Sequence, residues 1–263
     1  MPARRIVITS GKGGVGKTTT TANLGAALAK RGERVILVDA DIGLRNLDLV
    51  LGLEKRIVFD LVEVAEGRCQ LRQALIKDKR FESLSILPAA QTRDKDAITE
   101  SQFAAIIEQA AEVADYVLID CPAGIEGGFR NAVAGAKEAI VVTTPEVSAI
   151  RDADRVVGKL NDKALPTRLI INRLRPEMVR TGDMLSVEDV CEILSIELLG
   201  IIPDDEEIID TTNRGEPVVL DEASKLRTIY DKIARRLGGD VVPFTSFDSQ
   251  GFFGRLFGGL KAG

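Results

Sequence analysis

The chain has 263 residues, with 35 Lys and Arg against 40 Asp and Glu, so its formal net charge is −5. It contains no histidine, which excludes Ser-His and Cys-His catalytic pairs and any metal or haem site built on imidazole. Its length suits one domain with its own core, and its three cysteines share no CxxC spacing, which is typical of reduced cytosolic thiols.

Short apolar runs alternate with longer helical patterns along the chain. Strands are predicted at residues 5–9, 35–39, 84–87, 116–120, 139–143, 168–171 and 199–202. Helices are predicted at residues 18–30, 98–113, 148–160, 186–194 and 222–237. This alternation predicts an α/β fold, with a mostly parallel twisted sheet and helices on both faces. Residues 1–240 are expected to form a single domain, and residues 241–263 a flexible linker and tail.

The segment between the first strand and the first helix predicts a phosphate site. It fits the pattern GxxxxGK[ST] and reads Gly11, Lys12, Gly13, Gly14, Val15, Gly16, Lys17, Thr18, with Thr19 after it. Glycines let backbone N–H groups face one centre, while Lys17 can reach the β- and γ-phosphates and Thr18 can ligate Mg²⁺. The nearest string to the guanine-reading NKxD pattern, NDKA at 161–164, lacks the final Asp, so ATP is favoured by default. Lys12 could act on phosphate or be a solvated surface lysine.

Three acidic residues follow predicted strands at the same edge of the sheet. Asp120 ends a strand, as does the Walker B carboxylate that holds Mg²⁺ or its waters. Asp39 and Asp41 follow the apolar run at 35–38, so they lie at the edge of the sheet where such folds bind ligands. An Asp at a strand end can instead form a turn or cap a helix. The phosphate loop beside them favours the metal role for Asp120 and leaves both interpretations open for Asp39 and Asp41.

Longer strings carry a resemblance to a known family. They are KGGVGKTT at 12–19, DADIGLRNLDLVLGLE at 39–54, QALIKDKR at 73–80, LPAAQTRDKDAIT at 87–99, IDCPAGIE at 119–126, PEVSAIRDADR at 145–155, GDMLSVEDV at 182–190 and GEPVVLD at 215–221. Through them the chain resembles the MinD family of septum-positioning ATPases, within the ParA/MinD group whose deviant Walker A loop carries an extra lysine. The likeness covers nearly the whole chain.

The resemblance implies a role for each site residue. Lys12 would reach across an ATP-dependent homodimer to the partner's phosphates and would be catalytic together with Lys17 and Asp41, which would orient or activate the attacking water. Asp39 and Asp120 would support Mg²⁺ through its water shell, with Thr18 as the third metal residue. Four further residues would surround the adenine base, namely Asn172, Arg173, Pro203 and Asp204.

The resemblance also implies partners. The helix beginning near Ser148 and carrying Arg151 and Asp152 would dock the division inhibitor MinC and the activator MinE, in whose place a polar scaffold could act. Nucleic acid is not an expected partner. The protein would be cytoplasmic and, when bound to ATP, peripheral on the inner face of the cell membrane.

The tail has the pattern of a short amphipathic helix. At 100° per residue one arc of about 140° holds its large apolar side chains, Phe252, Phe253, Leu256, Phe257 and Leu260. Ten helical residues reach only ~15 Å, so this element could lie in a membrane interface without spanning the bilayer. Burying these side chains yields at most ~8–15 kcal/mol, and ordering the segment costs ~10–20 kcal/mol.

One tail is therefore marginal, whereas two tails presented together can gain ~10²–10⁴ in avidity. The tail could instead pack on its own domain or be frayed. The tail carries only two positive charges, Arg255 and Lys261, and Asp248 opposes them. Its attraction to anionic lipid should therefore be weaker than is usual in the family.

Other functions compete with this one. A ParA-like partition ATPase would need a basic surface for DNA and leaves the apolar tail unexplained. A flagellar-number regulator of the same group also ends in a membrane helix. An iron–sulfur carrier is disfavoured because the chain has no CxxC pair to bridge a cluster. A non-enzymatic protein would bind nucleotide only in a structural role, without hydrolysing it.

Overall fold

The computed structural model describes residues 2–94 and 96–244, and every element below lies within those ranges. The strands are β1 Arg4–Thr9, β2 Val35–Asp39, β3 Ile76–Lys77, β4 Leu84–Leu87, β5 Tyr116–Asp120, β6 Glu138–Thr143, β7 Thr167–Leu174 and β8 Glu197–Pro203. The helices are α1 Lys17–Lys30, α2 Leu47–Val50, α3 Leu61–Ala65, α4 Leu71–Ala74, α5 Glu100–Val113, α6 Gly127–Ala134, α7 Val147–Asn161, α8 Pro176–Thr181, α9 Val187–Leu194, α10 Glu207–Asn213 and α11 Lys225–Leu237. Two 3₁₀ turns occupy Glu54–Arg56 and Val218–Leu220.

The strands form a single sheet in the order β3-β4-β2-β5-β1-β6-β7-β8. Each neighbouring pair is parallel except β3 and β4, which are antiparallel. The register places Asp39 beside Asp120 and Asp120 beside Ile8, so β1, β2 and β5 end at the same edge. The loop after β1 therefore faces both carboxylates.

The sheet is covered on both faces, which explains its continuous apolar strands. Along β1, Ile6 and Ile8 belong to the core layer shared with α1, α2 and α11. Val7 points the other way, into the layer shared with α5, α6, α7 and α9. Because successive side chains alternate across a strand, a strand between two helical layers needs apolar residues at every position. The predicted α/β fold with a mostly parallel sheet is confirmed.

The differences from the predicted elements lie in short segments and helix starts. Strand β3 has two residues and α2 and α4 have four each, too few to show a period, and α3, α6, α8 and α10 were also not predicted. Strand β7 continues to Leu174 rather than ending at residue 171. Helix α11 begins at Lys225 rather than 222, because the hydroxyl of Ser224 accepts the N–H groups of Leu226 and Arg227 and caps the helix there.

The described chain ends in a segment held by Arg236 of α11. Its guanidinium donates to the carbonyl oxygens of Val242 (2.9 Å), Pro243 (2.9 Å) and Leu199 (3.1 Å) and lies 4.0 Å from the centre of the Phe244 ring. At the same end of the domain, Arg4 at the start of β1 donates to the carbonyl of Leu237. Packed chain thus continues to Phe244, where the described residues end.

Candidate functional site: a phosphate-binding cavity

The loop between β1 and α1 borders a cavity of about 540 Å³. Gly14 and Gly16 have φ angles of 78° and 89°, a left-handed conformation that side chains disfavour. Gly16 ends the loop and caps α1, whose first N–H groups therefore point at the cavity. Cβ atoms at Gly13 and Gly14 would meet open space within 4 Å, so this part of the loop is bare backbone facing the opening. Such a cradle fits phosphate oxygens.

Gly11, Lys12 and Val15 of the predicted loop do not line this cavity, but the other six loop residues and several more residues do. They are Ser10, Gly13, Gly14, Gly16, Lys17, Thr18, Thr19, Asp41, Leu44, Asn46, Val50, Pro122, Ala123 and Arg173. Leu44, Asn46 and Val50 come from the segment after Asp41, and Pro122 and Ala123 follow Asp120. Sequence reasoning missed these five as cavity residues. The strings that contain them, DADIGLRNLDLVLGLE and IDCPAGIE, carry the family resemblance, and their position beside two strand-end carboxylates was the available signal.

Lys17 is buried beneath the loop and forms an ion pair with Asp120. Its Nζ lies 2.9 Å from Asp120 Oδ1 and 3.4 Å from Thr18 Oγ1, and the side chain is only 8% exposed. Burial lowers the pKa of Lys17, but the negative charge and hydrogen bond of Asp120 raise it more, so Lys17 stays charged. The hydroxyl of Thr21 also donates to Asp120 Oδ1, at 3.2 Å.

Asp39 is fully buried beside Asp120. Its Oδ1 accepts the N–H of Asp41 (3.0 Å), and its Oδ2 accepts those of Asn46 and Leu47 (both 3.1 Å). Burial, and then the charge of Asp120, raise the pKa of Asp39 to about 7, against the lowering effect of these hydrogen bonds and of Lys17. Asp39 thus organises the loop that leads into α2 and places a second carboxyl group beside Asp120, although neither residue is among those that line the cavity.

These residues fit a nucleotide with Mg²⁺. Two buried carboxylates share the positive charge of Lys17, so a divalent cation beside them would relieve their repulsion. Among the described residues, no group of three or more His, Cys, Asp or Glu is placed to hold a metal ion. Mg²⁺ in nucleotide sites is usually bound through one or two carboxylates together with phosphate oxygens and water. Thr18, Asp39 and Asp120 would then hold Mg²⁺ or its waters, and the ion would supply positive charge to the β- and γ-phosphates.

Asn172 and Arg173 lie in an irregularity of β7 rather than after the strand. The register of β7 with β8 shifts between Ile171 and Leu174, and Arg173 has a left-handed φ of 58°. Strain of this kind is concentrated at functional sites. The bulge lets the exposed Arg173 line the cavity. The Nδ2 of the buried Asn172 donates to the carbonyl of Val15 at 2.8 Å and so braces the loop from below.

Pro203 and Asp204 stand at the end of β8, close to this irregularity. The N–H of Asp204 donates to the carbonyl of Leu174 (3.0 Å), and its carboxylate accepts the Nε of Arg175 (2.6 Å). They thus flank the end of β7 that carries Arg173, but they are not among the residues that line the cavity.

The loop also contacts the helix predicted to dock partners. Lys12 is exposed, and its Nζ donates to the hydroxyl of Ser148 in the first turn of α7 at 3.3 Å. A Cβ on Gly11 would lie 2.2 Å from the backbone carbonyl carbon of Asp152, so the loop packs directly against α7. Ser148 and Arg151 are exposed and Asp152 is half-buried. A shift of this loop would therefore change its contacts with α7.

The residues predicted to bind membrane, 252–260, lie outside the described residues. None of the helices between residues 2 and 244 combines the length and apolar character needed to cross a bilayer.

The brace from β7 yields a testable prediction. Replacing Asn172 with alanine removes the donor to Val15 and leaves a buried carbonyl unpaired, at a cost of about 1–3 kcal/mol. We expect a lower melting temperature and a nucleotide dissociation constant raised about fivefold, measured by calorimetry, because the loop loses its support. Asn131→Ala is the control, since Asn131 Nδ2 makes a similar bond to Ile98 (2.9 Å) outside the loop. Equal loss of affinity in both variants would refute the brace.

Comparison with known proteins gives consistent matches over most of the chain. Residues 6–218 match the CobQ/CobB/MinD/ParA nucleotide binding domain. The chain is 58% identical over 246 residues to the septum site-determining protein MinD of Synechocystis sp., covering 93% of this chain and 92% of that protein. Its structure resembles that of the MinC:MinD cell division protein complex of Aquifex aeolicus, with a TM-score of 0.87, 51% identity and coverage of 93% and 99% of the two chains. It also resembles the Pyrococcus horikoshii septum site-determining protein MinD complexed with Mg-ADP, with a TM-score of 0.82, 34% identity and coverage of 89% and 96%.

Proposed function

Because the chain belongs to the CobQ/CobB/MinD/ParA nucleotide-binding family, we propose that it is an ATP-driven switch that positions the division septum. It is a P-loop ATP hydrolase whose relatives are septum site-determining MinD proteins. In the proposed cycle the ATP form is a homodimer that binds the inner face of the cell membrane and recruits a division inhibitor. Hydrolysis returns it to a cytoplasmic monomer.

The placement of Lys12 is the observation that carries this proposal. Lys12 is exposed beside the cavity mouth and bonded to Ser148, whereas Lys17 lies beneath the loop within reach of its own cavity. A lysine on the outer side of a phosphate loop is available to the phosphates of a second subunit placed face to face. Nucleotide would then form part of the dimer interface, and its hydrolysis would weaken that interface.

Within this cycle each remaining site residue has a proposed task. Backbone N–H groups of the loop and Lys17 hold the phosphates, and Asp41 orients the attacking water from the cavity wall. Thr18, Asp39 and Asp120 hold the Mg²⁺ site. Arg173, with Asn172, Pro203 and Asp204 behind it, forms the side of the cavity where the base would lie.

Helix α7 is the proposed docking surface for partners. Its exposed Ser148 and Arg151, with Asp152 beside them, would contact the division inhibitor MinC, as the Aquifex complex of MinC with MinD supports. The activator would be MinE or a polar scaffold at an overlapping surface. Contact of Gly11 and Lys12 with α7 would make this surface sensitive to the state of the loop.

The proposed membrane device is the tail, with residues 1–240 as the ATPase domain and 241–263 as linker and amphipathic helix. The first residues of this linker, up to Phe244, are held against the domain by Arg236. A single tail gains about as much from burial as it loses on ordering. Joining two subunits makes the second insertion intramolecular, so dimerisation alone can raise membrane affinity.

Vesicle sedimentation tests the proposal. Purified protein is spun with anionic vesicles in the presence of ATP, ADP or a slowly hydrolysed ATP analogue, with DNA added in a parallel series. We expect sedimentation with ATP and most strongly with the analogue, little with ADP, and no competition by DNA. A protein that remains a monomer with the analogue and ignores vesicles would overturn the proposal. Retention by DNA instead would favour a ParA-like partition ATPase, and normal vesicle binding without any effect on septum placement in cells would favour a flagellar-number regulator.

Asp41 gives a sharper test of the cycle. In Asp41→Ala the cavity keeps its loop and Lys17 but loses the group proposed to orient water, so we expect turnover to fall about 100-fold with ATP still bound. After ATP is added, the variant dimer should then persist on vesicles, as the wild-type dimer is expected to do with the slowly hydrolysed analogue. Asp162→Ala is the control, because Asp162 is an exposed carboxylate paired with Lys159. If Asp41→Ala loses nucleotide affinity instead, Asp41 is a binding residue.

A further inference from the structure

Arg80 joins three segments of the chain that are far apart in sequence. It lies between β3 and β4, and its guanidinium pairs with both carboxylate oxygens of Asp78, Nε to Oδ1 at 3.0 Å and Nη2 to Oδ2 at 2.6 Å. Asp78 is 3% exposed. The same guanidinium donates from Nη1 to the carbonyl of Gly215 (2.9 Å) and from Nη2 to that of Leu51 (2.7 Å). One planar cation thus holds a buried carboxylate and two backbone carbonyls.

The two carbonyls belong to segments that touch through their backbones. Gly52 and Gly215 have left-handed φ angles of 62° and 66°. A Cβ on Gly215 would lie 2.6 Å from Gly52 Cα, and a Cβ on Gly52 would lie 2.9 Å from the carbonyl oxygen of Gly215. Two glycines at this crossing are therefore required by both conformation and space. Arg80 bonds to one carbonyl on each side and holds the crossing closed.

The segment on one side of this crossing is a wall of the nucleotide cavity. Helix α2 ends just before Gly52, and its Val50, with Asn46 before it, lines the cavity. The N–H groups of Asn46 and Leu47 donate to Asp39 Oδ2 at 3.1 Å, so the position of α2 also orients the Asp39 carboxylate. On the other side, Gly215 follows α10, which begins shortly after Pro203 and Asp204.

We propose that Arg80 is a positioning residue for nucleotide binding, acting by fixing α2 against the segment that ends at Gly215. It holds Leu51, and with it the cavity wall at Val50 and Asn46 and the carboxylate of Asp39. Without Arg80 the C-terminal end of α2 is no longer held, although its N-terminal end still bonds to Asp39. Nucleotide binding must then order this wall of the cavity. The cost falls on affinity rather than on the chemical step. This inference rests on ATP hydrolysis by the chain and is independent of dimerisation and membrane binding.

Arg80→Lys is the main test, because lysine keeps the charge and can pair with Asp78 but lacks the planar fork that reaches both carbonyls. In the full-length protein we expect KM for ATP to rise about tenfold while kcat changes less than about threefold. Hydrogen exchange of the Asn46 and Leu47 amides should accelerate, since they report the seating of α2 on Asp39. Arg56→Lys is the matched control, because Arg56 donates to the carbonyl of Lys77 at 2.5 Å but has no such bond to the crossing.

A second control separates positioning from general loosening. Ile233→Val removes a methylene from the buried side of α11, away from the crossing, and lowers stability without touching α2. If it shifts KM as far as Arg80→Lys does, or if Arg80→Lys leaves KM and the two amides unchanged, the inference is wrong. Should Arg80→Lys fail to fold, Arg80→Gln carries the test, since its planar amide can donate to one of the two carbonyls but cannot hold both. The same rise in KM is expected there, and an unchanged KM would overturn the inference. A wild-type protein without ATPase activity would instead contradict the proposed function.

Discussion

Replacing Lys17 with alanine is expected to abolish ATP hydrolysis and weaken nucleotide binding about 100-fold or more. Lys17 is the buried cation nearest the cavity, and a hydrogen bond to a charged group contributes ~1.5–3 kcal/mol, so loss of two phosphate contacts accounts for this factor. Steady-state turnover and calorimetric titration with ATP and Mg²⁺ measure the effect. Normal turnover in Lys17→Ala would contradict the assignment of the loop as the phosphate site.

The same substitution should also change stability in a pH-dependent way. Without Lys17 the adjacent carboxylates of Asp39 and Asp120 lose their countercharge, and the pKa of Asp39, already raised to about 7 by burial and by Asp120, should rise further. A carboxyl whose pKa is higher in the folded state stabilises the fold when protonated, and that contribution is lost as pH rises through the folded value. Lys17→Ala should therefore lose more thermal stability at about pH 8 than at about pH 6.

Lys12→Ala is the matched control for Lys17→Ala. The two lysines share one loop, but Lys12 is exposed and bonded to Ser148 on α7. We expect Lys12→Ala to bind nucleotide as a monomer and to keep its thermal stability, while losing the proposed dimer and its turnover. Equal losses of monomer affinity in both variants would show that the two lysines act on the same bound phosphates.

Removing residues 252–263 is expected to release the ATP-bound protein from vesicles while sparing dimerisation. Two tails together are expected to raise the membrane affinity ~10²–10⁴-fold over one tail. Removing both leaves the dimer with only the membrane affinity of its folded domains. Phe253→Glu should have nearly the same effect, since it places a charge within the apolar arc. Sedimentation measures the bound fraction, and analytical ultracentrifugation with the ATP analogue measures the dimer.

Gln250→Glu provides the control for the charge itself, because residue 250 precedes the apolar arc. It should reduce the bound fraction only slightly. Continued sedimentation of the truncated protein with vesicles would mean that the folded domain binds lipid and that the tail is dispensable. Loss of the dimer on truncation would mean that the tail is part of the subunit interface.

The sequence predicted the parts of the fold that depend on local patterns. Strands such as β1 and β5 are continuous apolar runs because both faces of the sheet are covered, and the loop from Gly11 to Thr18 combines glycines and a lysine in a fixed spacing. The placement of Asp39 beside Asp120 followed from strand ends sharing one edge. Short elements such as α2 and β3 were missed because a few residues carry no period.

Features that depend on distant parts of the chain were beyond such reasoning. The bulge that gives Arg173 its left-handed backbone needs the register of β7 with β8, and the bond from Asn172 to Val15 joins residues 157 positions apart. The tie from Arg80 to Leu51 and Gly215 depends on two glycines meeting across the fold. Neither residue type nor spacing in one segment predicts contacts of this kind.

The position of Phe244, where the described residues end, limits how a bound nucleotide could influence the tail. Arg236 holds this segment near the beginning of β8, and Arg4 at the beginning of β1 bonds to Leu237 at the end of α11. The phosphate loop follows the other end of β1, and a six-residue strand spans about 20 Å. Within one subunit, then, the phosphate loop and the segment that ends at Phe244 lie at opposite ends of β1. In the proposed switch, dimerisation itself would therefore control membrane binding. The tail of one subunit would respond to the presence of a second tail rather than to a conformational change transmitted from its own nucleotide.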